Sequence, residues 1–133
     1  GDAIDFSGSK VAIMDSDFNQ IKDKAVSVGE SSNINLKDID MNNVGVGVAS
    51  KDGSNTKVNG ATIKNYNLAA MMTYNKKDFY DQPILKAYNI EINPLKKEAF
   101  LSQKNTEMTI DNKKNVNRKI DVKLLYQTEI MKK

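Results

Sequence analysis

SKVAIMDSDFNQI, residues 9–21, recurs as SNINLKDIDMNNV, residues 32–44. Val11 maps to Ile34, Ile13 to Leu36, Phe18 to Met41 and Ile21 to Val44, all at a spacing of 23. Asp15 and Asp17 map to Asp38 and Asp40 at that same spacing. A third copy, NTKVNGATIKNY (55–66), follows at 22. YDQPILKAY (80–88) reads as a weaker fourth copy, with Leu85 matched to Ile63 and Tyr88 to Tyr66. The linking pieces repeat as well: DAIDF (2–6), KAVSV (24–28), VGVAS (46–50) and LAAMM (68–72), with AFLSQ (99–103) opening a fifth copy.

Within each copy apolar and polar residues alternate in bursts of four or five, which is the signature of short strands, and Gly, Asn, Asp and Ser interrupt them at turns. A unit of about 22 residues cannot bury its own apolar side, so it must stack on its neighbours. The pattern predicts an all-β chain, a right-handed parallel β-helix of about five coils over residues 1–115, with residues 116–133 as a C-terminal capping segment and tail. A sandwich also needs closely spaced turns, but it gives no reason for side-chain identity to recur at a fixed interval. Val11, Ile13, Val26, Val28, Ile34, Leu36, Val48, Val58 and Ile63 are expected to point inward as continuous ladders. Asn33 and Asn55 are expected to share amide hydrogen bonds at equivalent turns. Leu124, Leu125, Ile130 and Met131 are expected to cover the open edge of the last coil. Asp2 to Phe6 already reads as a coil strand with no cap before it. The chain is therefore expected to be the C-terminal piece of a longer β-helix, and to self-associate through its open N-terminal coil.

The 133 residues are 39% hydrophobic and 28% charged, with a net charge of +3. No His and no Cys is present, which removes imidazole and thiolate metal sites, Cys nucleophiles, Ser-His-Asp triads and disulfides. No metal site and no cofactor is expected. No apolar run is long enough to span a membrane. The basic charge is almost all Lys, with Arg118 the only arginine, and Lys alternates with Asp along the chain, so nucleic acid is not an expected partner.

The repeats DAIDFSGSKVAIMDSDF, KDKAVSVGESSNINLKDI and VGVASKDGSNTKVNGATI resemble those of pectin-lyase-like right-handed β-helix proteins. More narrowly they resemble the C-terminal β-helix regions of bacterial proteins of the spore-coat-H-like (CotH) kinase group and related surface-polysaccharide proteins, and IDVKLLY is similar to the closing segment of such regions. The resemblance covers about residues 2–126. It implies an extracytoplasmic or cell-surface location and a polysaccharide partner, and it does not imply activity, since this fold is shared by enzymes, adhesins and scaffolds. No kinase motif is present.

The sharpest enzymatic alternative is glycoside hydrolysis. The acidic motifs of β-helix polygalacturonases, DGID and then GDD one coil later, have a faint counterpart in DAID (2–5) and KDK (22–24). Asp2, Asp5 and Asp23 are the candidate carboxylates, with Lys24 standing where the second acid of the pair would be, and Asp5 and Lys24 read more simply as a surface ion pair. A lyase would use Lys24 or Lys51 as base, with Asp23, Glu30 and Asp52 around a cation. For sugar binding the candidates are Tyr74 and Tyr80. Tyr66 and Tyr88 are expected to continue an interior ladder. The reading favoured overall is a non-catalytic scaffold or binding module. The alternative is a fragment of a carbohydrate-active enzyme.

Overall fold

A computed structural model describes residues 1–131; the last two residues of the predicted cap, 132 and 133, lie outside it. Nine strands form one sheet that winds into a parallel β-solenoid. β1 (Ile4–Ser7), β2 (Lys10–Gly29), β3 (Asn33–Lys51), β4 (Asn55–Tyr74) and β5 (Ile84–Asn93) pair in parallel and in sequence order. β6 (Phe100–Gln103) continues β4, and β7 (Glu107–Ile110) continues β5. Short β8 (Lys113–Lys114) and β9 (Asn117–Arg118) lie on the last rungs, and a single helical turn, α1 (Val122–Leu125), follows.

The predicted ladders are the observed registers. Val11, Ile34, Thr56, Leu85 and Met108 stack as five rungs, and so do Ile13, Leu36, Val58, Ala87 and Ile110. Of the nine residues expected inward, Val26, Val28, Ile34, Leu36, Val48, Val58 and Ile63 are buried. Each such aliphatic side chain contributes about 1.5–3 kcal/mol by leaving water. Val11 departs from the expectation, being 37% exposed, and Ile13 is half-buried. No described strand lies on the side of Lys10–Gln20 away from β3, so their ladders have no rung above them.

The corners explain the turn residues. Each long strand bends where one residue takes a left-handed backbone, and Asp, Asn and Gly tolerate that conformation best. Asp15, Asp38, Gly60 and Asn89 form one such column, with φ of 51°, 54°, 83° and 56°. Gln20, Asn43 and Asn65 form the second, at 58°, 56° and 55°. Asparagine amides do bond between coils, but not at Asn33 and Asn55. The pairs are Asn65 to Asn42 at 2.9 Å and Asn89 to Asn59 at 3.0 Å, beside these corners.

The fourth coil is offset from its expected alignment. Leu85 lies under Thr56 rather than Ile63, Ile92 lies under Ile63, and Tyr88 lies beside Asn59. Residues 75–83 leave the coil between β4 and β5, which lengthens the repeat there to 29, and at Leu85–Met108 it returns to 23. Tyr88 is therefore an outward, half-buried residue. Tyr66 does end the ladder of Ile21 and Val44, with its hydroxyl donating to Pro94 O and accepting from Lys96 N.

The C-terminal segment divides its work. β8 and β9 cover edges of the last coil, whereas residues 122–131 run back along the outside of the stack as a strap. The strap covers a second apolar layer made by the outward side chains of Val46, Ala49, Ala69, Met72 and Tyr74. Met131 is fully buried and Leu125 and Ile130 half-buried, but Leu124 remains 59% exposed on the strap's outer side. Gly45 permits the close approach: a Cβ there would collide with the carbonyl oxygens of Lys22 and Asp23 and with Ile130.

Candidate functional site

The strap closes over a buried charged cluster at the end of its own layer. Lys24 and Asp23 stand on β2 just past its second corner, and Asp2 precedes β1 directly across the stack. The Lys24 ammonium donates to Asp23 Oδ1 at 2.8 Å and lies 3.2 Å from Asp2 Oδ1, which also accepts from the Lys24 backbone N–H at 3.3 Å. All three side chains are at least nine-tenths covered. The Tyr126 ring lies over the cluster, its centroid 5.5 Å from Lys24 Nζ, and its hydroxyl is 2.8 Å from that of Tyr74. Lys76 approaches the Tyr126 ring at 4.3 Å. Asp2 Oδ2, Asp23 Oδ2 and Ser27 Oγ are buried without a protein partner.

The electrostatics follow from that enclosure. Burial opposes the charge on Asp2, but the Lys24 ammonium and the hydrogen bonds it makes outweigh it and hold the carboxyl below its ordinary value. Burial lowers the Lys51 ammonium against the opposing pull of Asp5. Burial raises both phenols, Tyr74 well above its usual range and Tyr126 to about 12.

The enzymatic constellations do not assemble. Asp5 is exposed and paired in register with Ser27, so the Asp5–Lys24 ion pair is replaced by Lys24 held between Asp2 and Asp23. Asp23 and Lys24, candidates only in the enzymatic alternative, are buried. Asp52 accepts from the backbone N–H groups of Lys76 and Lys77, both at 2.8 Å, which anchors the excursion. Glu30 pairs with Lys77 at 3.0 Å and accepts from Ser7. The acids of the lyase reading thus point to separate partners, and among the described residues no group of three or more possible ligands could hold a metal ion. Tyr74 is corrected as a sugar platform, because its ring is wholly buried under the strap. Tyr80 is half-buried against Phe79, which is itself 82% exposed, with ring centroids 4.8 Å apart.

The surface carries a signal that the linear sequence conceals. Lys and Asp alternate along the chain, but a corner separates them, so they emerge on different faces. Residues 10–14, 33–37, 55–59 and 84–88 contain no acid and present Lys10, Lys37, Lys57 and Lys86 outward, all exposed. Past the first corner, Asp17 and Asp40 stack on adjacent rungs with Thr62 and Glu91 below them. Lys57 and Lys86 are likewise direct register partners. Like charges so placed oppose folding. A shallow trough of about 430 Å³ runs along the acidic face past Asp17, Asp40 and Lys64. A larger hollow, about 630 Å³, lies between the excursion and the strap, lined by Lys76, Gln103, Ile120, Val122 and Tyr126.

Among the described residues no helix is long and apolar enough to cross a membrane. No family model, curated protein or solved structure matches the chain.

Proposed function

We propose that this chain is a non-catalytic β-solenoid scaffold or binding module of a bacterial surface or extracytoplasmic protein associated with carbohydrate. One observation carries the reading. The acids that converge, Asp2 and Asp23, do so around Lys24 and beneath Tyr126. Hydrolysis needs an acid and a base or nucleophile flanking an accessible bond. A closed Asp–Lys–Asp cluster instead ties the first coil to the strap. The likeness of the coils to surface-polysaccharide proteins supports the location and the partner class.

A fragment of a carbohydrate-active enzyme is the second reading, favoured only by the convergence of two carboxylates and a lysine. Incubation with neutral and acidic polysaccharides separates the two, with reducing ends and unsaturated uronides followed over time. The binding-module reading expects neither product. Sustained release that Asp23→Asn abolishes would establish the enzyme instead.

A further inference from the structure

We infer that Lys24 and Asp2 condense into an intramolecular isopeptide bond, with Asp23 carrying the protons and water as the only molecule released. Such a bond goes beyond the scaffold reading and is independent of any ligand.

The first support is the placement of the reacting groups. Lys24 Nζ lies 3.2 Å from Asp2 Oδ1 and 2.8 Å from Asp23 Oδ1. Two backbone groups hold Asp2 and Lys24 together across the stack. Ala3 N–H donates to Lys24 O at 2.9 Å, and Lys24 N–H donates to Asp2 Oδ1 at 3.3 Å. An amine fixed in this way beside a carboxyl has its encounter with that group already arranged by the fold. Asp2 is the acyl partner because a backbone N–H already stands at Oδ1, where negative charge grows during attack. Asp23 makes the shorter contact to the ammonium, which suits it to take the proton.

The second support is enclosure. All three side chains are at least nine-tenths covered, and the Tyr126 ring lies over Lys24 Nζ. In water, hydration keeps an ammonium and a carboxylate as separate ions, and burial strips that hydration from both. Asp2 Oδ2 and Asp23 Oδ2 are buried without a protein partner, so one ammonium serves two carboxylates incompletely. Condensation replaces the buried ion pair by a neutral amide and expels one of those two oxygens. Lys77 and Glu30 supply the contrast: they pair at 3.0 Å but are 40% and 36% exposed, so both ions stay hydrated.

The atoms balance. The Lys24 ammonium gives one proton to the Asp23 carboxylate, and the freed lone pair on Nζ attacks Asp2 Cγ. Asp23 passes that proton to Asp2 Oδ2 and then relays a second one from the nitrogen to the same oxygen. The two acids stand within hydrogen-bonding reach of each other, which the relay needs. The Cγ–Oδ2 bond breaks, water leaves, and Asp23 ends as the carboxylate it was, accepting from the new amide N–H.

The test is the intact mass of the full chain, kept folded at neutral pH until its mass is constant, followed by tryptic mapping. The expected mass is one water short of that calculated from the sequence. Trypsin does not cut after an acylated lysine, so the expected new product joins residues 1–10 to residues 23–37. Lys24→Arg, which keeps the charge, and Asp2→Ala should each retain the full mass. Asp23→Asn should slow the loss of water by about a hundredfold or more, with circular dichroism as the check on folding. Full mass in the folded parent chain would overturn the inference. So would water lost as a succinimide at Asp52–Gly53, a branch at Lys51 in place of Lys24, or closure of folded Asp23→Asn at the parental rate. The parent chain's mass and map decide the matter even where a variant fails to fold.

Discussion

β2, β3 and β4 each contain two kinds of surface in one continuous strand. In their first halves, buried and exposed residues tend to alternate, and Lys and Asn point outward. In their second halves every residue is buried over six or more consecutive positions, because one side faces the solenoid interior and the other faces the strap. The backbone, the rung spacing and the inward ladders are the same in both. What differs is the outward residue: mostly small or apolar on the strapped side, where Lys24 and Lys51 are buried exceptions, and charged or amide on the bare side. A solenoid face is therefore dry or wet by its alternate residues alone, and a covering segment is needed only where those residues are apolar.

The sharpest way to break this comparison is at Lys24, which is fully enclosed on the strapped side. Lys24→Met leaves Asp2 and Asp23 buried without their counter-ion, and should cost about 3–5 kcal/mol in chemical denaturation. Adding Asp2→Asn and Asp23→Asn to it should recover most of that loss, and failure to recover would mean that Lys24 acts by packing rather than charge. Leu36→Ala removes an interior rung shared by both halves of the design and should cost about 2–5 kcal/mol. An unchanged denaturant midpoint would refute the ladder assignment. Gly45→Ala tests the seam between coil and strap, and an expected loss of about 1–3 kcal/mol follows from overpacking. Faster hydrogen exchange confined to residues 122–131 would show that the strap yields before the coil.

A smaller effect comes from alkali. The folded chain holds Tyr74 and Tyr126 protonated, the latter up to about 12, so it binds more protons than the unfolded chain once pH passes the ordinary phenol value of about 10. Stability from these phenols is complete below about pH 10 and is lost as pH rises toward 12. Phenolate absorbance should show Tyr74 and Tyr126 ionising late, assigned by Tyr74→Phe and Tyr126→Phe, and their early ionisation would remove the strap's enclosure of them. The smallest change is expected on the bare side, where Lys37→Ala should alter stability by no more than about 0.5 kcal/mol.

The ladders were legible because Val11, Ile34 and their neighbours repeat in type as well as in spacing. The offset of the fourth coil was not, because Leu85 and Tyr88 match Ile63 and Tyr66 in character as well as their true partners in position. The strap's path is less legible for a different reason. Its apolar residues do not repeat, and the layer it covers, Val46, Ala49, Ala69, Met72 and Tyr74, is interleaved with interior-facing residues of similar type. The missing polar alternation in VGVGVAS (44–50) and LAAMMT (68–73) was the available signal of a strand covered on both sides. Lys24 read as a surface group because its cover, Tyr126, stands 102 positions later in the chain. The separation of acidic and basic faces was hidden because left-handed corners at Asp15 and Asp38 turn a linear alternation into a spatial division.

A stack in which each coil touches only its neighbours can fray one rung at a time from either end. The strap changes that, since it departs beside the last rungs and delivers Tyr126 and Ile130 to Lys24 and Gly45 in the first two coils. Unwinding of the coil beside the strap's origin thereby uncovers the charge at Lys24, so loss of that coil and loosening around Lys24 become a single event. Coils wired in this way should melt as one cooperative unit rather than by progressive shortening, and a pulling force applied to the strap would be felt first at Lys24 and Gly45.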